Sequence, residues 1–375
     1  MTSYRVTDLV TGLPATVPFV GPEAQERAQG RVFDARIGAN ENMFGPSPTV
    51  IDAIIEMAGE SWMYGDPELH DLRHAIARHH EIPVGNVAIG EGIDGLLGYF
   101  SRMFIEPGYS VVTSAGAYPT FNYHVVGYGG QLETVPYCDD HEDIEGLLRR
   151  AADSKAKLLY FANPDNPMGT WWDAPAVSSM MSRIPDGTVL LLDEAYGEFA
   201  EAATLPGFDL SNEKVLRFRT FSKAYGMAGI RVGYVVGHCR LIAELDKVRN
   251  HFGVGRVAQA AALAAPSAAP PSSPKPQWPC SAWPTSPFRY APSSPPGKRG
   301  PPAPCERPAF PLALTADSGR LLVNPDEILG QHRGRIGVAH QQFYLFAERG
   351  AISARDDIEY AVFGRKVTQC QIVPV

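Results

Sequence analysis

The 375-residue chain has few cysteines, and they form no pattern that would bind a metal or build a disulfide framework. None of the five cysteines belongs to a CxxC pair. No apolar run approaches the roughly 20 residues that span a bilayer, and the first residues lack the charged and then apolar form of a secretory signal. We therefore expect a cytoplasmic protein with reduced thiols, no metal site and no membrane contact.

Positive charge is also scarce. The sequence has 33 Lys and Arg residues against 41 Asp and Glu residues, which gives a formal net charge of −8. Nucleic-acid-binding proteins normally carry a basic face, so this balance argues against such a partner. The hydrophobic fraction of 45% and the charged fraction of 20% are typical of a globular protein.

Proline, by contrast, is abundant and unevenly placed. Of the 33 prolines, 16 lie between Pro266 and Pro311. Proline removes amide donors and disfavours helix at the preceding residue, so no packed domain is predicted there. The tract is either a Pro-rich linker or polyproline II ligand, or the product of a frame error in GC-rich coding DNA. We divide the chain into an N-terminal arm (1–40), a large domain (41–257), a Pro-rich aberrant or disordered tract (258–311) and a poorly defined C-terminal remnant (312–375).

Short apolar strands alternate with helical patterns across the large domain. Several strands are continuous apolar runs, as expected for strands buried on both faces of a parallel sheet. This alternation predicts an α/β domain with a mostly parallel sheet. The predicted strands are 86–90, 109–114, 131–137, 156–162, 188–193, 214–221 and 231–237.

A glycine-rich turn, GEGIDG at 90–95, follows the first of these strands and precedes a helix. The amides at the start of that helix would suit a phosphate. A dinucleotide site would also need an acidic residue about 20 positions later, and 110–117 contains none. A structural turn, a monophosphate cradle and an NAD site all remain open from this motif alone.

Three further motifs each follow a predicted strand. The Asn-Pro turn NPDNPMGT at 163–170 lies where open α/β sheets place their ligands, although a simple turn explains it equally well. Asp193, in LDEAY, could cap a helix, hold a metal or pair with a protonated ring nitrogen. Lys223 follows the strand at 214–221 and could be an ordinary surface lysine. Its neighbours Ser222 and Arg231 suit a phosphate, and together with Asp193 these groups form the set that a pyridoxal phosphate enzyme needs.

In this order and spacing, the four motifs resemble those of the fold-type I, class I/II aminotransferases, with the closest likeness to the histidinol-phosphate aminotransferases. Segments 39–48 and 64–68 also resemble the corresponding segments of that family, and the resemblance covers about 35–257. It implies a three-layer α/β sandwich, here with an incomplete small α+β domain.

The resemblance also implies roles around pyridoxal 5′-phosphate. Lys223 would form a Schiff base with the cofactor and then carry the proton between the substrate Cα and the cofactor. Asp193 would pair with the pyridinium nitrogen. Asn166 and Tyr196 would hydrogen-bond the ring O3′, and Tyr118 would stack on the ring.

The cofactor phosphate would lie, by the same resemblance, at the start of the helix after the glycine-rich turn. Tyr64 would reach the phosphate of the neighbouring subunit, which implies a homodimer. The other groups implied to hold the phosphate are Gly92, Ile93, Asp94, Ser222 and Arg231.

The implied reaction moves an amino group from histidinol phosphate or an aromatic amino acid to a 2-oxo acid such as 2-oxoglutarate. The family places a carboxylate-binding arginine in its C-terminal region, where Arg335 in GRIGV is the candidate here. Met168 stands where the family usually has Thr. The alternatives are a cofactor-binding but impaired protein with an altered C-terminus, and an NAD-dependent oxidoreductase.

Overall fold

The computed structural model of the protein describes residues 4–15, 19–34, 38–200 and 204–265, together with the backbone of 359–362 and 365–368. The helices are α1 (Asp8–Gly12), α2 (Pro22–Gln29), α3 (Pro48–Ala58), α4 (His70–His79), α5 (Gly92–Phe104), α6 (Pro119–Gly127), α7 (Ile144–Ser154), α8 (Ala174–Ser182), α9 (Cys239–Glu244) and α10 (Arg256–Leu263).

The first seven strands form one sheet in the order β1-β7-β6-β5-β4-β2-β3. Strand β7 pairs antiparallel with both β1 and β6, and the remaining neighbours run parallel. The prediction of a mostly parallel α/β sheet is therefore confirmed, and each predicted strand has a counterpart. The strands are β1 (Val87–Gly90), β2 (Ser110–Ser114), β3 (Gln131–Val135), β4 (Leu158–Ala162), β5 (Val189–Asp193), β6 (Val215–Thr220) and β7 (Gly233–Gly237).

Helices cover both faces of the sheet, because alternate strand residues point to opposite faces. In β4, Leu158 and Tyr160 join a core cluster with α5 and α6, whereas Leu159 and Phe161 join a second cluster with α7 and α8. A third cluster packs α3, α4 and α10 against β1 and β7. The site described below lies at the carboxyl ends of the central parallel strands.

The apolar spacing of Leu69, Leu72 and Ile76 predicts a helix over 67–81, but helix α4 begins only at His70. Leu69 has a left-handed φ of 53°, which interrupts the helical backbone before His70. The Asp66 carboxylate accepts the amides of Glu68, at 3.0 Å, and His70, at 2.8 Å, so the chain forms a capping turn there.

A second unit, Glu306–Val375, contributes an antiparallel hairpin to the described residues, β8 (Glu359–Val362) with β9 (Arg365–Thr368). The predicted Pro-rich tract of 258–311 is described only as far as residue 265, and its remainder, 266–311, and the candidate Arg335 lie outside the described residues. Within the part of the chain that the structure describes, no helix is long and apolar enough to cross a membrane.

Candidate active site

Polar side chains converge where β4, β5 and β6 end. Asp193 is the last residue of β5, and the Asn-Pro loop follows β4 directly. Ser222 and Lys223 come two and three residues after the end of β6. The carboxyl ends of parallel strands meet at one edge of the sheet, which is where open α/β folds bind ligands.

The Lys223 amine lies in a partly buried position between the sheet and the N-terminal segment. Its Nζ donates to the carbonyl oxygens of Ala39, at 2.9 Å, and Asn40, at 3.4 Å. Burial lowers the pKa of Lys223, while the Asp193 carboxylate opposes that shift. A lysine with a lowered pKa has more of the neutral amine that acts as a nucleophile or base.

Asp193 is 7% exposed and is held by neutral donors. The Tyr160 hydroxyl donates to its Oδ2 at 2.7 Å, and the Ala195 amide donates to its Oδ1 at 2.9 Å. Burial raises the pKa of Asp193, although the Tyr160 bond works in the opposite direction. A more basic carboxylate holds a proton on a neighbouring nitrogen more firmly, which suits Asp193 to a cationic ring partner.

Two tyrosines line the same site. The Tyr196 hydroxyl accepts from Asn40 Nδ2 at 3.0 Å, and its ring centroid lies 5.5 Å from Lys223 Nζ. Burial raises the pKa of Tyr196 to about 12, so its hydroxyl stays protonated at neutral pH. Burial also raises the pKa of Tyr118, and the charges of Asp193 and Arg231 act on it as well. Tyr118 is therefore close enough to Asp193 and Arg231 for both charges to change its pKa.

A cationic cradle forms at the start of α5. Arg231 Nη1 donates to Ser222 Oγ at 3.2 Å, and Nη2 donates to the Glu91 carbonyl at 3.4 Å. Gly92 has φ of +81°, and a Cβ there would lie 2.4 Å from Arg231 Nη2. A Cβ at Gly233 would lie 2.8 Å from the Ile93 amide nitrogen. The two glycines therefore let the guanidinium, the hydroxyl and the amide end of α5 approach one another, a donor set suited to phosphate.

The Asn-Pro loop carries Asn166 and is fixed from below by a buried carboxyl group. Asp165, 5% exposed, accepts from the Met168 amide at 3.0 Å and from the Tyr137 hydroxyl at 3.2 Å. The loop begins with a cis peptide bond between Asn163 and Pro164. Burial raises the pKa of the nearby Glu142 carboxyl group, and the charge of Asp165 raises it further.

The structure thus brings most of the predicted site residues together. Tyr64 instead packs its 77% exposed ring on Phe252, with centroids 4.7 Å apart. Asp94 accepts from His124 Nε2 at 3.0 Å through its side chain. Four residues that contact the site were not assigned a role from sequence, because nothing in a single sequence shows their neighbours: Asn40, Glu142, Tyr160 and Asp165.

The fold and this constellation define a class of enzyme, and the profile of the family "Aminotransferase class I and II" matches residues 35–273. The chain belongs to that family. Membership confirms the prediction of a fold-type I, pyridoxal phosphate-dependent aminotransferase, and the NAD-dependent alternative is not supported.

Its relatives point to one branch of the family. Histidinol-phosphate aminotransferase 1 of Bacillus cereus is 33% identical over 265 residues, 70% of this chain and 71% of the relative. The enzyme of the same name from Mesorhizobium japonicum is 37% identical over 246 residues, 64% of this chain and 66% of the relative.

Two solved structures share the fold of this chain. Histidinol-phosphate aminotransferase from Sinorhizobium meliloti, in complex with pyridoxal-5′-phosphate, is 53% identical and superposes with a TM-score of 0.68 over 70% of this chain and 71% of that chain. Aspartate aminotransferase from Thermus thermophilus with maleate, 21% identical, shares the fold with a TM-score of 0.62 over 70% and 72% of the two chains.

Proposed function

We propose that this chain transfers the amino group of histidinol phosphate to a 2-oxo acid, with pyridoxal 5′-phosphate held at the site described above. The observation that carries this proposal is the placement of Lys223 within electrostatic reach of both Asp193 and Arg231. The Lys223 amine suits the carbonyl group of the cofactor, the Asp193 carboxylate suits its ring nitrogen, and the Arg231 guanidinium suits its phosphate. The names of the similar enzymes support the choice of histidinol phosphate over an aromatic amino acid.

The residues present fit the cofactor. The phosphate of the cofactor would be held by Arg231, Ser222 and the amides of Ile93 and Asp94 at the start of α5. Arg231 can come this close to the helix start because Gly92 has no side chain. When bound, the cofactor supplies an electrophilic carbonyl and a ring that accepts electron density.

The chain's own residues would orient the cofactor and the substrate and would move the proton. The basic carboxylate of Asp193 would hold a proton on the ring nitrogen, and Tyr160 fixes that carboxylate in place. Tyr196 and Asn166 would donate to the ring oxygen, and Tyr118 would cover one ring face. Lys223 would take up the proton of the substrate Cα and release it again, a task that its lowered pKa favours.

We also propose a cytoplasmic homodimer with shared sites. Tyr64 and Trp62 expose 77% and 79% of their surfaces on the loop between α3 and α4, and exposed aromatic rings of this size are typical of an interface. Tyr64 would reach the phosphate in the partner's site. Size-exclusion chromatography with light scattering, comparing the wild type with Tyr64→Phe and Trp62→Ser, tests the assembly and separates it from the phosphate contact.

Lys223→Ala gives the first test of the reaction. Without the amine, the purified protein should lose the yellow absorbance of the bound cofactor, and the rate with histidinol phosphate should fall by at least about 10³-fold, since a positioned base alone contributes 10²–10⁴. Absorbance spectroscopy and a single-turnover assay measure the two effects. The matched control is Lys214→Ala, which should change neither, because Lys214 lies just before the start of β6, at the end opposite to Lys223, and pairs with Asp186.

Substrate choice needs its own measurement. Rapid mixing of the loaded enzyme with histidinol phosphate, phenylalanine or histidinol separately gives three single-turnover rates. The proposal expects histidinol phosphate to react fastest. A faster reaction with phenylalanine would show an aromatic aminotransferase, and a yellow protein that reacts with none would show a cofactor-binding but impaired one.

A further inference from the structure

The glycine-rich turn carries a charged side chain, that of Glu91, which the reaction as described does not use. Glu91 is the residue just before the first turn of α5, and its carbonyl oxygen accepts from Arg231 Nη2 at 3.4 Å within the cationic cradle. A side chain at this position commonly accepts the free amides of the first helical turn, and negative charge is favoured there. The side chain of Glu91 makes no such bond, so those amides stay free.

The carboxylate of Glu91 is held along the side of α5 instead. The hydroxyl of Tyr99, eight residues or about two turns further along the helix, donates to Glu91 Oε1 at 2.8 Å. Aromatic side chains on a helix point back towards its N-terminus, which lets this hydroxyl reach the carboxylate. The amide of Asn250, in the loop before α10, donates to the same hydroxyl at 3.0 Å and fixes the tyrosine from the other side.

Two glycines leave room for the carboxylate in this position. A Cβ at Gly95, one turn into α5, would lie 3.2 Å from Glu91 Oε2. A Cβ at Gly253, in the loop that also carries Asn250, would overlap Glu91 Oε1 and lie 2.8 Å from Glu91 Cγ. The carboxylate therefore occupies a niche lined by Tyr99, Gly95 and Gly253, beside the helix rather than across its N-terminal end.

The position of this charge matters because of what lies next to it. Glu91 is attached at the start of α5, so a carboxylate that left the niche could turn towards the first amides of the helix. There it would occupy the donors that a phosphate needs, and its negative charge would repel the phosphate. The hydroxyl of Tyr99 is the donor that keeps the carboxylate in the niche.

We propose that Tyr99 is a positioning residue that keeps the Glu91 carboxylate out of the phosphate site, so that the amides at the start of α5 stay available to the phosphate of the cofactor. The identity of the ligand rests on the proposed function. The arrangement of Tyr99, Glu91 and Gly253 does not depend on that function, because it is formed by groups of this chain.

Two forms of the cofactor, with and without the phosphate, test this role in the cofactor-free full chain. Tyr99→Phe keeps the ring but removes the hydroxyl that holds the carboxylate. The dissociation constant of pyridoxal phosphate, measured by equilibrium dialysis, should rise about five- to tenfold, the effect of an unfavourable charge at a helix N-terminus. The dissociation constant of pyridoxal should stay within about twofold. Equal weakening of both ligands would indicate a general structural defect and would overturn the proposal.

Glu91→Gln separates the effect of charge from that of packing. Glutamine is close to glutamate in size but neutral, so its release from the niche does not repel a phosphate. The double variant Tyr99→Phe, Glu91→Gln should therefore bind pyridoxal phosphate within about twofold of the wild type, and so should Glu91→Gln alone. If the double variant bound it as weakly as Tyr99→Phe does, the charge of Glu91 would not be the cause and the proposal would be wrong.

Gly253→Ala changes the same niche from the opposite side, and it serves if Tyr99→Phe does not fold. The added methyl group would displace the carboxylate, which is the flexible end of Glu91, and should weaken pyridoxal phosphate by a similar factor. Gly255→Ala is the matched control and should leave binding unchanged, because a Cβ there meets no atom within 4 Å. Unchanged binding in a folded Gly253→Ala variant would contradict the role of the niche.

Inorganic phosphate distinguishes a failure of this inference from a failure of the proposed function. Its dissociation constant, from a titration followed by phosphorus NMR, should respond to Tyr99→Phe and to the double variant as that of pyridoxal phosphate does. If the wild type bound inorganic phosphate with this pattern but not pyridoxal phosphate, the proposed function would be wrong and the role of Tyr99 would stand. A wild type that bound neither would overturn both.

Discussion

Two adjacent carboxylates, Asp193 and Glu194, are both buried at the end of β5 but lie in opposite chemical environments. Asp193 faces the α5 side of the sheet and is held by a tyrosine hydroxyl and an amide. Glu194 points to the other face, where its oxygens accept from Arg217 Nη2 at 2.6 Å and from Arg219 Nε at 2.7 Å.

The difference separates the carboxylate that we propose binds the cofactor from a structural one. Glu194 is 0% exposed and its charge is matched by two guanidinium groups, so it has little capacity for a further partner. Asp193 has only neutral donors in hydrogen-bonding contact and a raised pKa, so a cationic ring nitrogen would complete its environment. Burial is therefore common to both carboxylates, and the partners that surround each one distinguish the proposed cofactor ligand from the structural group.

Glu194→Gln should produce the largest change, and it should affect stability. Removing one member of a buried ion network leaves the guanidinium groups uncompensated, which costs about 3–5 kcal/mol of unfolding free energy. Urea denaturation measures this loss. The rate per folded molecule should stay within about twofold, and a selective loss of rate without a loss of stability would contradict the structural role of Glu194.

Asp193→Asn should show the reverse pattern. The single amide oxygen of asparagine can still accept from the Ala195 amide, and its NH2 group can donate to the Tyr160 oxygen. The neutral side chain cannot hold the ring proton, so kcat should fall about 10²–10³-fold, as for other lost electrostatic stabilisers. Stopped-flow assays and denaturation are run on the same preparation. The comparison would fail if Asp193→Asn unfolded the protein as severely as Glu194→Gln.

The two faces should also differ in how pH affects stability. On the Glu194 side, burial lowers the pKa of His80 to about 3, below its usual 6.5, and Phe208 packs on both His80 and Arg217. The unfolded chain therefore binds more protons than the native protein between pH 6.5 and 3, so His80 destabilises the fold as pH falls through that range.

His80→Gln should remove this acid sensitivity. The pH slope of the unfolding free energy should decrease by the equivalent of up to about one bound proton. Urea denaturation at several pH values measures it. Asp165→Asn, on the site side, is the control with the opposite sign: the pKa of Asp165 rises from 3.8 to about 6, so its contribution to stability falls as pH rises through that range. If His80→Gln and Asp165→Asn changed the pH slope of stability in the same direction, the expected difference between the two residues would be wrong.

Tyr160→Phe should have the smallest effect. It removes one 2.7 Å hydrogen bond to Asp193, worth about 1–2 kcal/mol, and lets the carboxylate tilt. Stability and kcat should both decrease, the latter by about tenfold or less. The control is Phe161→Leu, on the opposite face of β4, which should lower stability but leave kcat unchanged. If Phe161→Leu lowered kcat as much as Tyr160→Phe, the hydrogen bond of Tyr160 to Asp193 would have no specific effect on the reaction.

Much of the fold and of the site follows from sequence, and the exceptions have a common cause. The apolar run at 189–192 predicts a buried strand because a strand covered on both faces is apolar at successive positions. Lys223, Asp193 and Arg231 were recognisable because each follows or precedes such a run at a fixed spacing. The antiparallel direction of β7 was not predictable, because pairing direction depends on how connections pack across the sheet.

The sequence by itself determined the strands, the motif residues and the family, since these depend on local periodicity and on short spacings along the chain. Only the tertiary structure decided which face each carboxylate meets. Glu194 and Arg217 are 23 residues apart in sequence, yet the pairing of β5 with β6 brings them into a buried salt bridge. The physical reason is that charge compensation in a buried site is set by neighbours across strands, which the sheet order brings together.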